Sequence, residues 1–390
     1  MVKAEFFIQL IGSSFFLILN IYLSKMGFSD SEIANFISYR FLAVILLSFP
    51  LGFYIRSRPL KPFFIIGALG VPIVAIFLIC SIKYAWIFYL PILFLLWGGV
   101  FTLFQVSSLP YVMRNTSVKN QSHAISLSFA THSFGTIFSG IIIFFSAQFM
   151  QEIDEGNILL GISVFGFLAL YYLLQMKIDF TPPAQKKMLL RSYDWLLIFQ
   201  AIVPTLIIAI GAGLTIPFIN LFFFHNFSID SSGFAMIGGL SSLLVAIFSL
   251  LVPNLKSRFG FKKGITYTQI IAVIALVALA TTEFINHYWW ACPLAVICYW
   301  VRTPLMNMAA PMTSELTMNY VGVKNQEMLS AITAAIWSGS WFFSSQIFSF
   351  LKAKGLTYAY IFYITAILYA FGVCMYYLLI RDYESKSARL

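Results

Sequence analysis

Two arginines in the sequence stand far from the ends of long apolar segments, where a charge requires a specific partner. Arg40 is about ten residues into its segment and Arg302 about fourteen, which is roughly 15 to 20 Å along a helix. No carboxylate lies at a matching depth in any of these segments. Because a guanidinium binds carboxylate or phosphate through paired hydrogen bonds, the two arginines predict an anion site. The alternative is a structural role, in which each arginine contacts backbone carbonyls or a distant glutamate.

Other polar side chains in these segments extend this hypothesis. Four amides are predicted to orient the ligand beside the two arginines: Asn20, Asn220, Gln105 and Asn307. The alternative for each amide is a hydrogen bond to a neighbouring helix, which contributes about 0.6 kcal/mol on average. Three groups are candidates for carrying a coupling proton: His132, Glu32 and Glu315. Histidine titrates near neutral pH, and a hydrogen-bonded core histidine is the alternative for His132.

Catalytic and metal-binding patterns are absent from the sequence. Nothing resembles the nucleophile and base of a hydrolase, and no two histidines have metal-ligand spacing. The four cysteines all lie in apolar segments, as small core residues do. The sequence also has no phosphate-binding loop of the G-x-x-x-x-G-K-[ST] type. We therefore expect no enzyme activity, no metal and no cofactor, and a function driven by a gradient.

The composition requires that much of the chain face lipid. Of the 390 residues, 60% are hydrophobic and 10% are charged, whereas soluble domains have about 25% charged residues. One membrane crossing takes about 20 apolar residues, so the chain has room for about twelve. Each crossing must be a helix, because a single segment in lipid can satisfy its backbone hydrogen bonds only internally. The predicted fold class is an all-α polytopic membrane protein.

The predicted helices fall into two groups of six. They cover approximately residues 4–23, 32–55, 63–82, 85–114, 122–150, 157–176, 195–224, 233–255, 265–284, 288–318, 328–351 and 356–380. The first six form an N-terminal half, residues 1–176, and the others a C-terminal half, residues 195–380. Residues 177–194 form a hydrophilic linker, and residues 381–390 form a charged tail.

The lysines and arginines indicate how the helices are oriented. If the N-terminus is inside, most of the 24 basic residues fall in cytoplasmic segments, in agreement with the positive-inside rule. This predicts a multi-pass protein of the cell inner membrane, with both termini and the linker in the cytoplasm. The same distribution accounts for most of the net charge of +10, so we expect no nucleic-acid partner.

An internal repeat relates the two halves. The sequence Val118-Lys-Asn-Gln121, after the fourth predicted helix, recurs as Val323-Lys-Asn-Gln326 after the tenth. Ile11-Gly12 in the first helix recurs as Ile210-Gly211 in the seventh. These matches predict two pseudo-symmetric six-helix halves. Such repeats place a substrate site between the halves, near the middle of the bilayer.

Two short basic sequences stand in corresponding positions of the two halves. They are Gly-Phe-Tyr-Ile-Arg-Ser-Arg-Pro-Leu-Lys at 52–61 and Pro-Asn-Leu-Lys-Ser-Arg-Phe-Gly-Phe-Lys-Lys at 253–263. Both resemble the G-x-L-x-D-R-x-G-x-R loop of the major facilitator superfamily, although Arg56 and Ser257 replace its acid. In that family the loop contributes to gating. The residues that the resemblance implies for this role are Arg56, Arg58, Lys61, Arg258, Lys262 and Lys263. The alternative is that these cations are solvated loop residues that only set the topology.

The resemblance also implies a mechanism. Members of this superfamily rock two six-helix halves about a central cavity lined mainly by helices one, four, seven and ten, and a monomer holds the whole pathway. We therefore predict a secondary transporter of a small organic anion or anionic amphiphile. Its partners would be this substrate, the lipid bilayer and a coupling proton or another ion. The alternative is an efflux pump for lipophilic drugs or lipids, which would use the aromatic residues of the cavity.

Overall fold

The long apolar segments all form helices. A computed structural model of the chain describes residues 1–55, 58–116, 118–149, 154–176, 193–322 and 325–387, and these residues contain no strand. The helices of the first half are α1 Val2–Lys25, α2 Asp30–Tyr54, α3 Lys61–Lys83, α4 Leu90–Asn115, α5 Val118–Phe149 and α6 Glu155–Leu174. Those of the second half are α7 Trp195–Phe227, α8 231–259, α9 261–281, α10 Ala291–Val321, α11 Gln326–Ala353 and α12 Tyr358–Ser387.

The lengths of these helices agree with twelve membrane crossings. Nine helical segments of the described residues are long and apolar enough to cross a membrane. One of them, Ser231–Ile285, contains both α8 and α9, which are separated by a kink at Gly260. α10 and α11 add two helices of 31 and 28 residues. The predicted all-α polytopic fold class is confirmed.

The connection between α8 and α9 is shorter than the sequence indicates. The basic residues at 256–264 predict a loop, but helical structure continues on both sides of one residue, Gly260. Its backbone has φ +66° and ψ −176°, a conformation that glycine adopts readily because it has no Cβ atom. The turn therefore needs a single residue, and the basic side chains lie on the ends of two helices.

Acidic side chains define where two helices begin. At the start of α2, the Glu32 carboxylate accepts hydrogen bonds from the backbone nitrogen of Ser29 at 2.9 Å and from its hydroxyl at 2.8 Å. The Ser29 hydroxyl in turn accepts from the backbone nitrogen of Glu32, which completes a capping box. The Asp154 carboxylate caps α6 by accepting from the Asn157 nitrogen at 2.7 Å. Glu32 therefore stabilises the N-terminal end of α2.

The chain divides into two compact units. Unit 1 contains Met1–Lys186 and Phe223–Ser242, and unit 2 contains Lys187–Phe222 and Leu243–Leu390. Unit 1 therefore includes the end of α7 and the beginning of α8, besides the first six helices. The predicted linker lies mostly outside the described residues, which resume at 193, so its boundaries stay a prediction. The predicted tail continues α12 as far as Ser387.

Hydrogen bonds of the same kind join equivalent helices in the two units. In unit 1, the Ser139 hydroxyl of α5 donates to the Leu10 carbonyl of α1 at 2.9 Å. In unit 2, the Ser344 hydroxyl of α11 donates to the Ile210 carbonyl of α7 at 2.7 Å. Ser344 follows Ser139 by 205 residues, which is also the spacing of the repeated Val-Lys-Asn-Gln sequence. The internal repeat therefore extends to the contacts between helices.

Candidate functional site

The Arg40 side chain of α2 lies among aromatic rings. Its guanidinium carbon is 4.3 Å from the ring centroid of Trp97 and 5.7 Å from that of Phe101, both on α4, and 5.5 Å from that of Phe41. Among the described residues, no carboxylate forms an ion pair with Arg40. The charge is therefore stabilised by the electron-rich faces of the rings, and no acid in the described part of the chain neutralises it.

The close approach of α2 and α4 brings Arg40 to these rings. Gly98 of α4 packs against the backbone of α2, and a Cβ atom at position 98 would lie only 2.2 Å from the Arg40 carbonyl oxygen. The two helices can touch here because glycine has no side chain. Gly98 directly follows Trp97, so the same contact sets the position of the indole ring.

The indole of Trp97 adds a second hydrogen-bond donor to this place. Its ring is buried and packs against Phe15 of α1 at a centroid distance of 4.6 Å. The Nε1 atom has no hydrogen-bond partner among the described residues. A buried donor without a partner costs free energy, and most such groups in proteins are hydrogen-bonded. The half-buried guanidinium of Arg40 therefore lies over the ring that carries this buried donor, and a guanidinium suits an anionic or strongly accepting ligand.

The Arg302 side chain of α10 lies in a closed environment within unit 2. It is 3% exposed. Its Nη2 atom donates to the Tyr369 hydroxyl of α12 at 3.0 Å, while its Nε atom has no partner among the described residues. Tyr369 packs against α7, where a Cβ atom at Gly211 would lie 2.9 Å from its ring. Arg302 thus connects α10 to α12 through a tyrosine hydroxyl, which is neither the backbone carbonyl nor the glutamate of the structural alternative.

The four predicted amides differ in exposure. In unit 1, Asn20 is buried and Gln105 is exposed. In unit 2, Asn220 is buried and Asn307 is exposed. The Asn220 side-chain oxygen accepts from the Leu221 nitrogen at 2.9 Å, and the Asn307 amide donates to the Thr303 carbonyl one turn earlier at 2.9 Å. Gln105 is therefore the exposed amide on the helix that carries Trp97.

Two of the three proton-coupling candidates have structural partners. Glu32 belongs to the capping box of α2, and the exposed Glu315 pairs with Lys256 at 2.5 Å. His132 has an exposed side chain on α5. Within the described part of the chain, no group of three or more histidine, cysteine, aspartate or glutamate residues is arranged to hold a metal ion.

Around the first basic sequence, residues 52–61, cations donate hydrogen bonds to backbone carbonyl oxygens. Arg114, at the end of α4, donates to the carbonyls of Arg58 and Ile55, each at 2.8 Å. Lys61 donates to the Leu174 carbonyl at 3.2 Å and also to the Met176 carbonyl. These cations therefore cap the ends of α2 and α6. Arg56 lies outside the described residues.

In the second basic sequence, residues 253–263, two cations lie near aromatic rings. Arg258 is 5.5 Å from the Phe259 ring centroid and Lys262 is 5.1 Å from that of Tyr377, while the Lys263 side chain is exposed. Ser257, at the position of the family's acid, donates to the Asn254 carbonyl at 3.0 Å. Charge pairing at this position is therefore replaced by a hydrogen bond within the helix.

Sequence reasoning missed two residues that hold the candidate residues in place. Tyr369 is the partner of Arg302, and Arg114 is the partner of the first basic sequence. Tyr369 is 67 residues from Arg302, and no local pattern signals that the two side chains meet. Arg114 is visible in the sequence as a cation at the end of a helix, but its role depends on where the loop folds.

Comparisons with known proteins give a consistent picture. The model of the family described as Major Facilitator Superfamily matches residues 4–345. The structure of a D-xylose-proton symporter is similar with a TM-score of 0.74, 13% identity and coverage of 96% of this chain and 95% of that one. A bacterial homologue of the iron transporter ferroportin, in an inward-facing state, has a TM-score of 0.70 and 12% identity, with 97% of both chains covered. The nucleoside transporter NupG has a TM-score of 0.71 and 14% identity, with 97% of this chain and 98% of that one covered. No curated protein sequence matches the chain.

Proposed function

We propose that this chain carries a small organic anion or an anionic amphiphile. It belongs to the Major Facilitator Superfamily and is therefore a secondary transporter that works by alternating access. The solved structures that share its fold are named for a sugar, a metal and a nucleoside. Fold similarity therefore leaves the substrate to be argued from side chains. The observation that carries the proposal is the environment of Arg40.

The energetics of Arg40 favour a site that binds an anion. A charge in the middle of a membrane helix costs about 2.5 to 3.5 kcal/mol on insertion scales, and a desolvated cation–π contact contributes about 2 kcal/mol. The rings of Trp97, Phe101 and Phe41 therefore offset most of the cost. Since cation–π contact leaves the guanidinium hydrogens available, a carboxylate or phosphate can still bind them.

The aromatic surroundings also bear on the shape of the substrate. An anionic group at Arg40 would place the rest of a small ligand against the same rings. These aromatic rings favour a ligand that has an apolar part, such as an aromatic acid or an amphiphile. Asn20 and Gln105 belong to the same unit and would tune this fit.

In unit 2, Arg302, Asn220 and Asn307 remain candidate substrate-binding residues in this proposal. One donor of Arg302 is engaged by Tyr369, and its Nε atom has no partner among the described residues. At 3% exposure, Arg302 would need movement of α10 or α12 to reach a ligand. The coupling group we favour is His132, because Glu32 and Glu315 have partners. We also propose that the transporter is a monomer of the inner membrane with both termini in the cytoplasm.

Ligand-induced stabilisation of the purified full-length protein tests the proposal. A ligand at 100 times its Kd stabilises the folded state by about 2.7 kcal/mol, which raises Tm measurably. The panel contains organic anions, neutral lipophiles and organic cations. The variants are Arg40→Gln, Arg40→Lys and, as a matched control, Arg381→Gln at the exposed end of α12.

We expect Tm shifts with anions alone, retained in Arg381→Gln, reduced in Arg40→Lys and lost in Arg40→Gln. Arg40→Lys keeps the charge but loses the planar pair of donors, so it separates charge from geometry. If neutral lipophiles raise Tm equally in the wild type and Arg40→Gln, the anion proposal is wrong. An efflux pump for lipophilic drugs or lipids then becomes the better account.

A further inference from the structure

Two grooves on the surface of the helices have similar linings, which are mostly apolar and include one tyrosine. The first groove, of about 260 Å³ in unit 1, is lined mainly by Phe6, Phe7, Phe134 and Phe138, with Lys3 and Tyr172. The second groove, of about 310 Å³ in unit 2, is lined mainly by Ile270, Val273, Ile274 and Val373, with Cys374 and Tyr377. Each groove is thus mostly apolar and has a tyrosine in the C-terminal half of α6 or α12.

A lysine lies over the tyrosine of each groove. The Lys3 amine is 5.6 Å from the Tyr172 ring centroid, and the Lys262 amine is 5.1 Å from the Tyr377 ring centroid. Lys3 is near the start of α1 and Lys262 is near the start of α9. Since α1 and α9 begin on the side where α6 and α12 end, both cations lie on the membrane side that carries the chain termini.

The two tyrosines are related by the internal repeat. Residues 171–174 and 376–379 both read Tyr-Tyr-Leu-Leu, and Tyr377 follows Tyr172 by 205 residues, the spacing of the repeated Val-Lys-Asn-Gln sequence. The two tyrosines occupy equivalent positions of the repeat. The two lysines do not, because Lys3 lies on α1 and Lys262 on α9. Tyrosine is typical of the interface between lipid tails and headgroups, which is where a phospholipid phosphate lies.

Within the described part of the chain, Lys3 and Lys262 contact aromatic rings but no carboxylate. Among the described residues neither amine forms an ion pair. Four other lysines do pair with carboxylates: Lys25 with Glu155, Lys83 with Asp154, Lys256 with Glu315 and Lys386 with Asp382. The exposed amines of Lys3 and Lys262 are therefore cations beside an apolar groove.

We propose that each groove binds one anionic phospholipid, with an acyl chain along the apolar floor and the phosphate at Lys3 or Lys262. The charge complementarity is between the lysine and the phosphate, and a basic residue near a membrane surface favours anionic lipid about fivefold. With the termini in the cytoplasm, the lipids belong to the cytoplasmic leaflet. The tyrosine keeps the amine at headgroup level through the cation–π contact.

Native mass spectrometry of the purified full-length protein tests this proposal by counting bound lipids. The probes are phosphatidylglycerol, which is anionic, and phosphatidylcholine of the same acyl chains, which has no net charge. The variants are Lys3→Gln, Lys262→Gln and the double variant. The matched control is Lys354→Gln, because Lys354 lies over the Phe350 ring at 5.7 Å on the opposite side of the membrane.

We expect two retained phosphatidylglycerol molecules in the wild type and in Lys354→Gln, one in each single variant and none in the double variant. Phosphatidylcholine should be retained about fivefold less at each groove. All substitutions are at exposed lysines, and an unchanged Tm in detergent verifies that the variants fold. Equal retention of both lipids, or undiminished phosphatidylglycerol binding in the double variant, would overturn the proposal.

Discussion

The guanidinium carbon of Arg40 lies 4.3 Å from the ring centroid of Trp97, across the contact between α2 and α4. This relationship places a cation beside an indole donor that has no hydrogen-bond partner among the described residues of unit 1. It accounts for a charge at this depth that no carboxylate of the described residues pairs with. It also makes Trp97, and not only Arg40, a determinant of substrate binding in our proposal.

Trp97→Phe separates the ring from its N–H group. Phenylalanine keeps an aromatic face for Arg40 but removes the indole donor. A hydrogen bond to a charged ligand contributes about 1.5 to 3 kcal/mol, so we expect the Kd for the anionic substrate to rise at least tenfold. Binding titration with the ligand identified by the Tm panel measures this. An unchanged Kd would show that the indole nitrogen does not contact the ligand.

Gly98→Ala should loosen the contact that positions Arg40. The new Cβ atom would lie 2.2 Å from the Arg40 carbonyl oxygen, which is backbone and cannot rotate away. Overpacking of this kind costs about 1 to 3 kcal/mol, and we expect a lower Tm together with weaker anion binding. The control is Gly161→Ala in α6, where no atom lies within 4 Å. A Tm for Gly98→Ala equal to that of the control would contradict the contact.

Tyr369→Phe removes the hydrogen bond to Arg302. Because Arg302 is 3% exposed, water cannot replace the lost partner, and we expect a loss of stability of about 1.5 to 3 kcal/mol. Thermal unfolding in detergent provides the measurement. The comparison is Tyr363→Phe, whose hydroxyl contacts Thr281 at 3.0 Å in an exposed position. If both variants lose the same stability, Arg302 is not held as the structure indicates.

The repeat predicts matched effects for two serines. Ser139→Ala and Ser344→Ala each remove one hydrogen bond to a carbonyl of α1 or α7. We expect each variant to lose about 1 kcal/mol, with similar decreases in Tm. Ser249→Ala is the control, since its hydroxyl donates to Val245 within its own helix at an exposed position. A large effect from one serine and none from the other would argue against equivalent packing of the two units.

The sequence by itself determined the helices and the class of protein. A long apolar segment in lipid has one way to satisfy its backbone, so hydropathy alone is enough to predict a helix. The ends of α2 and α6 agree with the predicted segments to within a few residues, because capping residues such as Ser29 and Asp154 are local signals. The loop at 256–264 was wrong in extent, since one glycine with positive φ suffices for the turn.

The tertiary structure alone decided what surrounds each candidate residue. Hydropathy gives the depth of Arg40 and Arg302 along the membrane normal, but the helices are apolar on nearly all faces, and their sequences do not define which face turns inward. Rotation of α2 and α10 is set by packing, including the contact at Gly98 and the pairing of Arg302 with Tyr369. For that reason one arginine lies half-buried among rings and the other is closed off by a tyrosine, although the sequence predicts the same role for both.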